Sequence, residues 1–211
     1  MSDRSRAKEI VRLLSKEYPN SKVALNFTNP LELLIATILS AKCTDAKVNQ
    51  VTVELFKRYR TPEQYANANL AELRSLIRPL GTYRRKAKFI KECCKAIVKK
   101  FNSKVPKTME ELLSLPGVAR KTANIVLSNA YGIVEGIAVD THVARLSRRL
   151  GLTENKVPEK IEQDLMKVVP KEDWFKINYL LIDHGRMVCK SIKPMCSRCV
   201  LKEICPSAFK V

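Results

Sequence analysis

The sequence predicts an all-α fold of about ten helices, and three observations carry that prediction. Apolar residues recur at three- and four-residue intervals along nearly every segment. No stretch alternates apolar and polar residues as a half-buried strand does, and no Asn-Gly hairpin signal occurs. Glycine numbers only six, while Asn-Pro, Thr-Pro and Thr-x-x-Glu start signals punctuate the chain.

Taken in order, Ile10, Leu13, Leu14 and Tyr18 mark one face of a first helix. Asn29-Pro30 opens a second, with Asn as cap and Pro in the first turn, and Leu31, Leu34, Ile35, Ile38 and Leu39 form its apolar side. Val48, Val51, Leu55 and Tyr59 line a third. Thr61-Pro62 opens a short one, and Asn69 caps the helix of Leu70, Leu73 and Ile77. A long basic helix follows over about 84–101. Thr108 with Glu111 forms a capping box ahead of another. Pro158 starts a further helix, and Trp174 to His184 fits one more.

A chain of 211 residues holds one large domain or two small lobes, and 45% hydrophobic residues suffice to fill a core. No apolar run reaches the roughly 20 residues needed to span a bilayer. The opening MSDRSRAKEI has no apolar core of a signal peptide, so the expected location is the cytosol or nucleoid. Lys and Arg number 39 against 21 Asp and Glu, for a net charge of +18. That excess points to a polyanionic partner, with nucleic acid first and anionic lipid or simple solubility as alternatives. Charge alone gives salt-dependent, sequence-blind affinity and names no chemistry.

Four of the seven cysteines, Cys189, Cys196, Cys199 and Cys205, crowd into the C-terminal segment, while Cys43, Cys93 and Cys94 lie apart. In a reducing compartment such a group reads as a metal site rather than as disulfides. Four thiolates can hold tetrahedral zinc or a [4Fe–4S] cluster, and the spacing C-x6-C-x2-C-x5-C has only one of the two C-x-x-C pairs of a zinc ribbon.

The segment LPGVARKTA, residues 115–123, is the most informative. Pro116-Gly117 forces a tight turn, because Pro fixes φ and Gly tolerates positive φ. A helix is expected to restart from Val118, with its unpaired N–H groups pointing out of the turn as a phosphate site. An ordinary helical hairpin reads the same way locally. In VDTHVARL, residues 139–146, Asp140 stands at a helix start, where an N-cap is worth about 1 kcal/mol.

These strings together resemble the endonuclease III family of helix–hairpin–helix DNA glycosylases. LPGVARKTA is similar to its hairpin, VDTHVARL to its catalytic region, and the four-cysteine spacing to its iron–sulfur loop. NPLELLIATILSAKCTD (29–45) and LGTYRRKAKFI (80–90) match further family blocks. The resemblance spans almost the whole chain. It implies a six-helix barrel over residues 22–135, with the hairpin at about 108–131, and a cluster lobe of 1–21 with 136–211, DNA crossing between them.

The resemblance also implies roles. Lys121 is the nucleophile that forms an imine with C1′ of the sugar, and Asp140 is the carboxylate that activates it or stabilises the cationic sugar. The imine acidifies C2′, so β-elimination cuts the strand. Cys189, Cys196, Cys199 and Cys205 hold a [4Fe–4S] cluster. Pro116, Gly117, Val118, Ala119 and Arg120 of the hairpin, with Lys190 and Lys193 of the cysteine loop, contact DNA. The partner is duplex DNA carrying a damaged base or abasic site, met by a monomer, with the damaged nucleotide flipped out of the stack. His142 and His184 are expected to be structural. Three positions depart from the family pattern. Ala119 replaces a second hairpin glycine, Lys42 replaces a glutamine that fills the gap left by the flipped nucleotide, and Thr82 replaces a leucine wedge. The competing readings are a monofunctional mismatch or uracil/thymine glycosylase of the same superfamily, which generally lacks the lysine, and a non-catalytic DNA-binding module.

Overall fold

The computed structural model describes residues 2–211, and among these every regular element is helical. Eleven α-helices run in order: α1 (Asp3–Glu17), α2 (Pro30–Leu39), α3 (Asp45–Arg58), α4 (Pro62–Asn67), α5 (Leu70–Leu76), α6 (Tyr83–Lys100), α7 (Met109–Leu113), α8 (Arg120–Tyr131), α9 (Thr141–Arg149), α10 (Pro158–Val168) and α11 (Trp174–Met187). Short 3₁₀ turns cover Lys171–Asp173 and Cys196–Arg198. None of the helices is long and apolar enough to cross a membrane. The chain divides into two compact units, residues 24–133 and residues 1–23 with 134–211.

The 24–133 unit is built around α2. Asn29 caps it by accepting the Glu32 N–H at 3.0 Å, and Pro30 supplies a preset φ at its start. The sequence pattern predicts one apolar face; instead Leu33, Ala36 and Thr37 are buried as well as the expected leucines and isoleucines. The reason is that α2 packs against α3, α6 and α8, so no side is left for water. Thr37 is tolerated there because its hydroxyl donates to the Leu33 carbonyl at 2.7 Å. Around it, α4 and α5 lie on α6, and α7 on α8.

Capping differs from the sequence reading in detail. The full reciprocal capping box is at α4, between Thr61 and Gln64. At α7 the Thr108 hydroxyl accepts the Glu111 N–H and donates to the Glu111 carboxylate at 2.8 Å.

In the other unit, Ala7, Ile10, Val11 and Leu14 of α1 join one core with Val143 and Leu146 of α9, Ile161 and Leu165 of α10, and Ile177, Leu180 and Leu181 of α11. Leu13 and Tyr18 flank that core half-buried. Burial of each valine, leucine and isoleucine side chain here contributes about 1.5–3 kcal/mol.

Candidate active site and cysteine centre

In the 24–133 unit, α7, a six-residue turn and α8 form the hairpin that carries Lys121. Gly117 sits at φ +81°, and a Cβ there would lie 2.9 Å from Cβ and Cγ of Phe89 on α6. Both the backbone conformation and the close approach of α6 therefore require glycine. The Val118 N–H closes the turn onto the Leu115 carbonyl at 3.2 Å. The helix does not restart at Val118 as the sequence reading expects. Val118 is buried by the turn, Ala119 is the N-cap in extended conformation, and α8 begins at Arg120. Ala119 offers no side-chain acceptor, so the N–H groups of the first turn are left uncapped by it. Lys121 is the second residue of α8 and is half-buried.

Lys42 and Thr82 are brought together. The loops that carry them adjoin, since a Cβ built on Gly81 would lie 4.0 Å from the Lys42 carbonyl and 3.9 Å from Cys43 Sγ. Both residues are exposed and both have φ +56°. Two non-glycine residues in the left-handed region cost about 1–2 kcal/mol each.

Asp140 belongs to the other unit. It is the N-cap of α9, with Oδ1 accepting the Val143 N–H at 2.8 Å. Buried Asn178 of α11 donates to the Ala138 carbonyl at 2.5 Å and fixes the strand of chain leading to it.

The cysteine segment follows α11 in the same unit. Cys189, Cys196, Cys199 and Cys205 line one cavity, whose apolar wall includes Leu146, Leu150, Val188 and Met195. Among the described residues, no three His, Cys, Asp or Glu side chains converge as ligands of a single ion. Burial pushes the Cys199 thiol up to about 11 and the Cys205 thiol upward, so thiolates here need a cation to stabilise them. His184 is buried, with Nε2 3.2 Å from Cys199 Sγ and Nδ1 3.0 Å from the Tyr18 hydroxyl. Burial holds it down to about 4, which leaves it neutral at physiological pH. Lys190 and Lys193 project into solvent from this segment, Lys193 at φ +51°.

Two residues of the site escaped the sequence reading. Arg145 donates to the carbonyls of Gly185 and Cys189, both at 3.0 Å, and approaches His142 Nδ1 at 3.2 Å. Burial holds the Arg145 guanidinium below its ordinary value, with the Cys189 sulfur and the Asp140 carboxylate acting in the opposite direction. Arg149 donates to the carbonyls of Lys190 at 2.7 Å and Ser191 at 3.0 Å, and to Cys189 Sγ at 3.4 Å. Gly185 permits this packing, since a Cβ there would sit 2.9 Å from Arg145 Nη2. The available signal was the four-residue spacing of the two arginines, which puts them on one face of α9.

The hairpin with its tight Pro-Gly turn lies inside a match to a class of DNA-repair proteins. Residues 35–171 match the family described as "HhH-GPD superfamily base excision DNA repair protein". The Endonuclease III of Synechocystis sp. is 51% identical over 207 residues, covering 98% of this chain and 94% of that protein. The Endonuclease III of Bacillus subtilis is 47% identical, covering 92% and 88%. A solved structure described as a trapped Endonuclease III–DNA covalent intermediate matches with a TM-score of 0.95 at 43% identity, over 100% of this chain and 99% of that one. A thermostable thymine-DNA glycosylase shares the fold, with a TM-score of 0.88 at 21% identity. The chain belongs to the endonuclease III family.

Proposed function

We propose that this protein is a base-excision-repair DNA glycosylase and AP lyase that removes oxidised pyrimidines from duplex DNA and opens the abasic site through an imine on Lys121. The observation that carries the reading is the full-length match to an endonuclease III trapped in covalent linkage to DNA, on a chain whose hairpin helix carries an amine, Lys121, in its first turn. Covalent capture needs a nucleophile, and an amine that attacks C1′ expels the base; the nitrogen then loses its proton, the C1′–O4′ bond breaks with O4′ taking a proton, and the opened sugar is left as an imine. That imine draws electrons from C2′, the C2′ proton leaves, and the 3′ phosphate departs with the electron pair. Asp140 stabilises positive charge on the sugar as the glycosidic bond breaks. The hairpin residues Pro116, Gly117, Val118, Ala119 and Arg120 grip one strand, Lys190 and Lys193 pair with phosphates, and Lys42 and Thr82 meet the gap left by the extruded nucleotide. A monofunctional glycosylase has no use for the lysine.

Cys189, Cys196, Cys199 and Cys205 would hold a [4Fe–4S] cluster. Four cysteines lining one cavity, in the C-x6-C-x2-C-x5-C spacing that resembles the iron–sulfur loop of the family, support this reading. When bound, the cluster supplies a rigid, charged anchor for the loop carrying Lys190 and Lys193. We place the protein in the cytoplasm, at the nucleoid, where its substrate is.

Borohydride trapping on a duplex with one thymine glycol tests the mechanism. Wild type is expected to crosslink and Lys121→Gln to bind without crosslinking. A crosslink that persists in Lys121→Gln overturns the assignment of the nucleophile.

A further inference from the structure

We propose that Cys43 and Lys86 form a redox-sensitive modification site, in which a peroxide-oxidised Cys43 is captured by the Lys86 amine as a sulfenamide bridge that weakens DNA binding. Lys86 lies in the first turns of α6 and is only 3% exposed. Lysine is rarely buried unless paired with an opposite charge. Here its hydrogen-bond partner is a thiol rather than a carboxylate, with Nζ 3.1 Å from Cys43 Sγ. Cys43 lies in the loop between α2 and α3 and is only partly buried, whereas Lys86 behind it is buried. The other cysteines of this unit differ. Cys93 and Cys94 are wholly buried in α6 and burial pushes both thiols up, so they pack as small apolar groups.

The chemistry balances with hydrogen peroxide as oxidant. Cys43–SH and H₂O₂ give Cys43–SOH and water, the sulfur losing two electrons to the peroxide. The Lys86 amine, after giving one proton to solvent, attacks the sulfenyl sulfur. The S–O bond breaks, hydroxide leaves and takes a proton from nitrogen, and an S–N bond remains with a second water. Two equivalents of a thiol reverse the bridge and form a disulfide of their own.

The bridge would pin the loop of Lys42 to the helix whose N-cap is Thr82, two positions held at φ +56° next to one another. This effect on DNA rests on the proposed function, whereas the bridge itself does not. The test treats the iron-loaded protein with peroxide, alkylates free thiols and maps peptides. The expected product joins the Cys43 and Lys86 peptides at about 2 Da below their summed mass, and dithiothreitol releases it. Affinity for duplex DNA with an abasic site should fall on treatment and return with dithiothreitol, and in Cys43→Ala it should not respond. A peptide in which Cys43 carries only oxygens while Lys86 stays unmodified overturns the proposal. Bridging without change in affinity overturns its regulatory half. Untreated protein that does not bind the DNA would instead overturn the proposed function and leave the bridge standing.

Discussion

Gly117 shows how much one residue can fix. Its φ of +81° and the 2.9 Å approach of Phe89 leave no room for a Cβ. Gly117→Ala must shift α6, distort the turn, or both. We expect a loss of about 1–3 kcal/mol, read from denaturant unfolding, with a larger proportional loss in affinity for abasic DNA. An unchanged midpoint would show that the turn relaxes freely and that the glycine is not needed. Lys121, four residues on, carries the opposite expectation. It takes no part in the turn's closure, so Lys121→Gln should fold normally and fail only in crosslinking.

At the scale of elements, α9 ties its own start to the cysteine segment. Its N-cap is Asp140, and Arg145 and Arg149 reach from the same helix to the backbone of Cys189, Lys190 and Ser191. Charged donors to carbonyls are worth about 1.5–3 kcal/mol each when buried, less where water competes. Arg149→Ala should therefore loosen residues 189–191 while leaving the helices intact. With the proposed [4Fe–4S] cluster bound, the expected result is faster loss of iron on incubation, with unchanged far-ultraviolet circular dichroism. Iron loss at the wild-type rate would show that the arginine contributes no support to the cysteines.

For the molecule as a whole, the +18 charge sets how binding responds to salt. If Lys42, Arg120, Lys190 and Lys193 each neutralise one phosphate, the slope of log affinity against log salt should be roughly −3 to −4. Binding to undamaged and abasic duplexes measured across salt checks this. A slope near zero would mean that the basic excess does not face DNA. Replacing Lys190 and Lys193 together should lower the slope by about 2 on both duplexes, because phosphate contacts carry no lesion specificity.

By itself the sequence determined the helical class, because apolar periodicity and start signals such as Asn29-Pro30, Thr61-Pro62 and Asp140 are local. It also determined the family, through short strings whose residue types are tied to chemistry. It named Lys121, Asp140 and the four cysteines as candidates before any of them had a neighbour. Only the tertiary structure decided what surrounds them. The burial of α2 on every side depends on which helices pack around it, and a pattern of one face cannot report that. The start of α8 at Arg120 rather than Val118 follows from Val118 being drawn into the turn. Arg145 and Arg149 meet the cysteine segment some 40 residues away in sequence, and Lys86 meets Cys43 across 43. Such pairs are invisible in one sequence because the chain's own spacing carries no record of which distant segments fold against each other.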